Sequence, residues 1–186
     1  MTETLTLLLD GEPVSATEIE DSHGTRLHRI VVGVGPLDVE YEATIEGRSA
    51  PLPTGPRHEV RYLRPSRYAE SDELAATAFA EFEGLEGMGL LHGISSWVGT
   101  HLAYVSGSSE PTDGASQTFL ARQGVCRDYA HLCVALLRAR GVPARLVSVY
   151  APGLKPMDFH AVCEAYVDGR WWAVGMPPHW RRARPW

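Results

Sequence analysis

Cys126 stands where a short turn, Gly124-Val125, hands over to a long apolar stretch, and a thiol in that place can do chemistry. The first amides of a helix have no acceptors of their own and the helix dipole is positive there, so thiolate is favoured over thiol. A thiolate attacks carbonyl carbon, which makes Cys126 a candidate nucleophile. Downstream, the segment Asp158-Phe159-His160-Ala161-Val162 supplies an imidazole that can serve as its base. The chemistry this pair suggests is acyl transfer through a thioester.

Two kinds of element must position these groups. From Cys126 to Arg140, the residues Tyr129, Ala130, Cys133, Val134, Leu136 and Leu137 cover most of a helix's circumference, which predicts a buried central helix. Arg138 and Arg140 suit its C-terminal end, and Gly141 followed by Pro143 stops it. Strands are expected over 144–150, 159–167 and 170 to about 175. Asp168-Gly169 between the last two predicts a two-residue hairpin turn, which sets Val167 opposite Arg170.

Strand parity then sorts the side chains. Phe159, Ala161, Cys163, Ala165 and Val167 share an apolar face that should pack on the core. His160, Val162, Glu164 and Tyr166 lie on the other, so His160 is expected away from packing and open to chemistry. The same register sets position 175 opposite Val162, as the diagonal neighbour of His160. An acceptor there could fix the imidazole tautomer, yet the residue is Gly175.

Upstream, residues 1–65 read as a β subdomain with no chemistry of its own. Strands are expected over 5–9, ending at Asp10-Gly11, over 27–34, over 39–45 and over 58–63. The remainder, 66–186, begins with a helix from Ser71, its expected cap, through Phe82. A second helix is expected over 90–102 with Trp97 on its buried side, then a polar loop over 106–116 and a short helix over 118–122.

Composition narrows the classes. The chain has 186 residues, 44 % of them apolar and 22 % charged, as in an ordinary soluble domain. A formal charge of −6 argues against a phosphate-binding surface and hence against a nucleic-acid partner. No apolar run reaches the roughly 20 residues that cross a bilayer, so no membrane partner is expected. The N-terminus has no basic leader followed by an apolar core, and three cysteines cannot all pair within one chain. A reducing cytoplasmic setting is the expectation.

Other residues have quieter readings. Cys133 and Cys163 fall on apolar faces and are expected to be inert packing. His131 lies about 140° around the helix from Cys126 and is expected to be a satisfied structural histidine. Asp128 suits the helix dipole, Arg127 a local ion pair, and Trp97 the core, while Tyr104 could wall a cleft. A zinc site built from His131, Cys133, His160 and Cys163 fails, because residues two apart on a helix, or three apart on a strand, diverge.

The stretch Gly124-Val125-Cys126-Arg127-Asp128-Tyr129-Ala130-His131-Leu132, with Phe159-His160-Ala161 and Glu164, resembles the transglutaminase-like superfamily of thiol enzymes. The resemblance covers about residues 66–175. It implies an α+β, papain-like fold, with a central nucleophile helix packed on an antiparallel sheet. It also implies Cys126 as nucleophile, His160 as base, a peptide or protein substrate, and no cofactor or metal.

In that family an Asp in an Asp-x-Thr-like segment orients the His, and here the place falls on Gly175-Met176-Pro177. Met176 is ATG and Pro177 begins CC, so a frame read one base earlier can encode Asp-Ala there. The expectation is a chain whose end was replaced by a frameshift after about residue 174. Glu164 is roughly 13 Å along the strand from His160, too far to substitute. Asp158 is nearer and is the better understudy. Weak residual acyl transfer is expected, and the alternative is an inactive fold serving as a binding module or a truncated gene product.

Overall fold

The structure is a computed structural model, and it describes residues 2–21, 25–47, 55–151 and 159–174. The chain divides into two compact units, Met1–Leu52 and Pro53–Trp186.

The first unit is built of strands. Strand β1 (Thr2–Leu9) turns through Asp10 and Gly11, both at positive φ, into β2 (Glu12–Pro13). That is the backbone a two-residue Asp-Gly turn requires. Strands β3 (Thr17–Glu20) and β4 (Arg26–Arg29) pair as a separate hairpin, and β5 (Leu37–Thr44) runs antiparallel along β1. The strand expected over 27–34 ends at Arg29, and Val31 and Val34 beyond it are exposed. Arg26 of the hairpin forms a two-pronged ion pair with Glu3 of β1, which also accepts the Tyr41 hydroxyl at 2.8 Å.

The second unit opens with a correction. Residues expected as a strand over 58–63 form helix α1 (Pro56–Leu63). Pro56 at the first helical position, Glu59 in the first turn and Arg61 in the last suit a helix, and these end signals outweigh the alternation of Val60 and Tyr62. Helix α2 (Ala75–Glu81) starts later than expected, because Ser71 is buried in the turn that precedes it and does not cap it. Helix α3 (Gly87–His101), the short strand β6 (Ala103–Tyr104), α4 (Ala115–Ala121) and β7 (Gln123–Gly124) follow.

Helix α5 (Cys126–Ala139) is the centre of this unit. Leu132, Ala135, Leu136 and Leu137 have no exposed surface, and α2, α3 and α4 pack around it. Its end is fastened by side chains. Arg138 donates to the carbonyl of Ala144 at 2.9 Å and to that of Arg64 at 2.7 Å, and Arg140 donates to the carbonyl of Phe82. Gly141 then takes the positive φ that ends a helix.

Strands β8 (Ala144–Tyr150), β9 (Phe159–Val167) and β10 (Arg170–Val174) form an antiparallel sheet with β9 in the middle. The hairpin register is as read from sequence, with Val167 opposite Arg170 and Cys163 opposite Val174. Asp168 and Gly169 are both at positive φ, as this turn demands. Helix α5 lies on β8 and β9, and Cys163, Ala165 and Ala144 join its apolar side chains in one core. The fold is α+β and papain-like, with a buried helix on an antiparallel sheet.

Candidate active site

Cys126 is the first residue of α5, and the chain reaching it is tightly specified. Arg122 ends α4 in the left-handed conformation. Strand β7 then runs parallel to β6, with the Ala103 amide on the carbonyl of Arg122 and the Val105 amide on that of Gly124. Val125 is extended and caps the helix through its carbonyl, which accepts the amides of Asp128 at 2.9 Å and Tyr129 at 3.1 Å. The Asp128 carboxylate reaches back to the Val125 amide at 2.7 Å. This is one half of a capping box, since valine has no side-chain acceptor for the other.

Cys126 is half-buried, whereas Cys133 and Cys163 are sealed in the core. Burial pushes the Cys133 thiol up to about 12, and the Cys163 thiol well above its usual value. Of the three cysteines, Cys126 is the one that is not buried and that stands in a helix's first turn, where amides lack intrahelical acceptors.

His160 is the second residue of β9, opposite Val149. The expectation that it stands clear of packing is overturned: its residue is only 5 % exposed, while Phe159, expected in the core, is 67 % exposed and leans on Tyr150. Parity holds from Cys163 to Val167 and lapses at the start of the strand, where the apolar face leaves the core set by α5. Further along the sheet, beside Glu164 and Tyr166, Tyr62 of α1 meets Trp171 edge-on at 5.2 Å, with Arg145 over both rings. Burial lowers the His160 pKa, favouring the neutral imidazole that a base needs.

The helix that begins at Cys126 thus lies on the strand that begins at Phe159-His160. Glu164 is committed elsewhere, bound to Arg145 at 2.7 Å. Asp158, Gly175, Met176 and Pro177 lie outside the described residues, as does the rest of the tail.

The expected satisfied histidine is also corrected. His131 is buried and stacks on Tyr68, but its Nδ1 has no hydrogen-bond partner among the described residues. Burial, with Arg127 nearby, depresses it to about 4. Trp97 packs against the core and donates its indole N–H to Glu81 at 3.0 Å. Tyr104 is 41 % exposed, stands opposite Gly124 and leans on Tyr129, whose hydroxyl donates to the carbonyl of Leu102. Among the described residues no three His, Cys, Asp or Glu side chains converge to hold a metal.

One participant went unread in the sequence. Ser109, in the polar loop between β6 and α4, donates its hydroxyl to Asp128 at 2.8 Å and accepts from Arg127 at 2.6 Å. Its signal was weak, a serine among several in a loop whose fold comes from distant partners.

Comparison with known proteins bears on the family and the fold. Residues 89–176 match the model of the transglutaminase-like superfamily. They are a transglutaminase-like domain. A crystal structure of a candidate cysteine protease from Cytophaga hutchinsonii superposes with a TM-score of 0.83 at 33 % identity, over 94 % of this chain and 64 % of that one. The periplasmic domain of TgpA from Pseudomonas aeruginosa gives a TM-score of 0.53 at 26 % identity, over 65 % of this chain and 49 % of that one. An uncharacterized protein of Mycobacterium tuberculosis is 43 % identical over 61 residues, which are 33 % of this chain and 19 % of that protein. This chain spans only part of the length of these proteins, about a fifth of the mycobacterial one. Among its described residues, no helix is long and apolar enough to cross a membrane.

Proposed function

We propose that this domain is a thiol enzyme that transfers acyl groups from peptide or carboxamide substrates, with Cys126 as nucleophile and His160 as its acid and base. The observation that carries this reading is the seating of α5, with a half-exposed cysteine in its first turn, on the strand that holds His160. The likeness to a candidate cysteine protease over nearly the whole chain supports it.

In the proposed cycle the Cys126 sulfur gives up its proton to His160 and bonds to the substrate carbonyl carbon. The C–N bond then breaks as His160 returns that proton to the departing amine, leaving a thioester. Water, or a second amine, adds to the thioester, its proton passes to His160, and sulfur leaves. The Cys126 amide, at the head of the helix, is a suitable donor to the oxyanion. The three unpaired thiols are consistent with a reducing, cytoplasmic setting.

Alkylation by iodoacetamide, followed against pH, tests the pair. An ordinary thiol reacts with a midpoint of about 8.5. The proposal expects Cys126 to keep a substantial rate below pH 7, and His160→Ala to remove that acidic limb. A wild-type profile like that of a free thiol refutes it.

The glycine at position 175, where the family carries its orienting aspartate, favours a second reading, a non-catalytic domain kept for binding. Under that reading, an aspartate introduced at position 175 leaves thiol reactivity and amidase activity unchanged.

A further inference from the structure

The two oxygens of Asp128 face different parts of the fold. Oδ2 accepts the Val125 amide, and so fixes the turn that presents Cys126. Oδ1 accepts the Ser109 hydroxyl at 2.8 Å and lies 3.3 Å from the Arg127 guanidinium. Arg127 in turn donates to Ser109 and, at 2.7 Å, to the carbonyl of Glu110. The carboxylate is 1 % exposed, and the side chain fills the space beside Gly124.

We infer that Asp128 is a positioning residue that couples the polar loop over 105–114 to the nucleophile turn, one oxygen holding each. Calling the turn functional rests on the thiol-enzyme reading; the coupling itself does not.

Several features make the loop more than a connector. It leaves β6 directly after Tyr104, which stands opposite Gly124, so it begins beside the turn that leads to Cys126. Its far end is held separately, by Glu70, which accepts the Ala115 amide at 2.8 Å. Between these ends Ser109 and Glu110 are tied to the first turn of α5, and Ser106 and Gly107 are exposed. A buried charged group with all its bonds made is costly to disturb, and a hydroxyl on a loop is an economical way to complete the set. A helix dipole alone would not require it, since an exposed Asp at the same position would serve that purpose.

Three full-length variants separate the two oxygens. Asp128→Ala removes both contacts. Asp128→Asn keeps an oxygen for the Val125 amide but turns a donor toward the loop. Ser109→Ala removes only the loop contact. Hydrogen exchange of peptides covering 105–114 reads the loop, and the pH profile of Cys126 alkylation reads the turn.

Asp128→Ala should quicken loop exchange by about tenfold or more, as for loss of a hydrogen bond to a charged group. It should also displace the alkylation profile, because the turn that presents Cys126 loses the bond from the Val125 amide to Asp128. Ser109→Ala should quicken the loop and leave the profile in place, and Asp128→Asn should rescue the profile but not the loop. If Asp128→Ala does not fold, the other two decide. Loop exchange in Asp128→Asn equal to wild type overturns the coupling. A free-thiol profile in the wild type, with a loop that still loosens in Ser109→Ala, refutes the thiol-enzyme reading and leaves the coupling standing.

Discussion

The ring of Tyr68 lies parallel to that of His131, with centroids 5.4 Å apart and planes 9° apart. The stack seats an imidazole inside the unit, one turn along α5 from Arg127, where a proton is unwelcome. Burial is the larger cause of its low pKa and the Arg127 charge the smaller, while Asp128 opposes them.

Stability should therefore fall on the acid side. Unfolded, His131 takes a proton near 6.5; folded, it does so only near 4. Above 6.5 it is neutral in both states and costs nothing. As pH falls through this window the unfolded chain gains protons first, so the fold loses up to roughly 3 kcal/mol. His160, also depressed by burial, adds in the same direction. Melting temperatures of wild type and His131→Asn between pH 7 and pH 4 measure the contribution. The variant should show a distinctly shallower acid loss, and parallel curves would contradict the assignment.

The thiols should divide one against two. Cys133 and Cys163 are buried with their pKa values raised, and Cys126 is half-exposed. Native protein treated with iodoacetamide at pH 7 should take up one carbamidomethyl group, at Cys126, and three after denaturation. Native labelling of either core cysteine would mean that α5 and β9 open far more readily than their packing allows.

Much of this was legible in the sequence because the signals were local. Asp168-Gly169 determined the turn, and the turn determined the register down to Cys163 opposite Val174. Gly141 and the arginines before it marked the end of α5. What was not legible depends on partners far along the chain. Over 58–63 the alternation of Val60 and Tyr62 suggests a strand, and only the end signals and the packing on α5 and β8 favour a helix. The burial of His160 depends on what packs at the start of β9, which parity cannot reveal. Ser109 acquires its role from Asp128, many residues away, through a bond that no spacing rule anticipates.

An aspartate at position 175 should strengthen the site. The prediction rests on the family resemblance, since Gly175 is outside the described residues. Loss of the orienting aspartate costs about 10⁴ in rate in serine triads. Gly175→Asp should raise hydrolysis of a peptide amide by a part of that factor, because a thiol depends less on its third partner. Release of amine from a peptide library, compared between the two proteins, is the measurement, and equal rates favour the binding-module reading.

Core truncation should be severe. Leu136 is fully buried in the middle of α5. Leu136→Ala should cost about 2–5 kcal/mol, by lost transfer energy and the cavity left behind. Urea unfolding gives the figure, and a loss below about 1 kcal/mol would show that α5 is not the centre of the cooperative unit.

Gly124 should tolerate no side chain. A β-carbon built there would come within 2.7 Å of the Asp128 β-carbon and 2.8 Å of its Oδ2. Asp128 cannot give way freely, because that same oxygen holds the Val125 amide and its partner holds Ser109. Gly124 cannot retreat easily either, since its carbonyl accepts the Val105 amide at 3.1 Å. Gly124→Ala should thus cost about 1–3 kcal/mol, as overpacking does. The strain falls on the turn that presents Cys126, so its alkylation should slow in the folded protein as well. An alanine variant with native melting temperature and native alkylation rate would mean that the turn and Asp128 move together without cost, and the rigidity ascribed to this corner would be wrong.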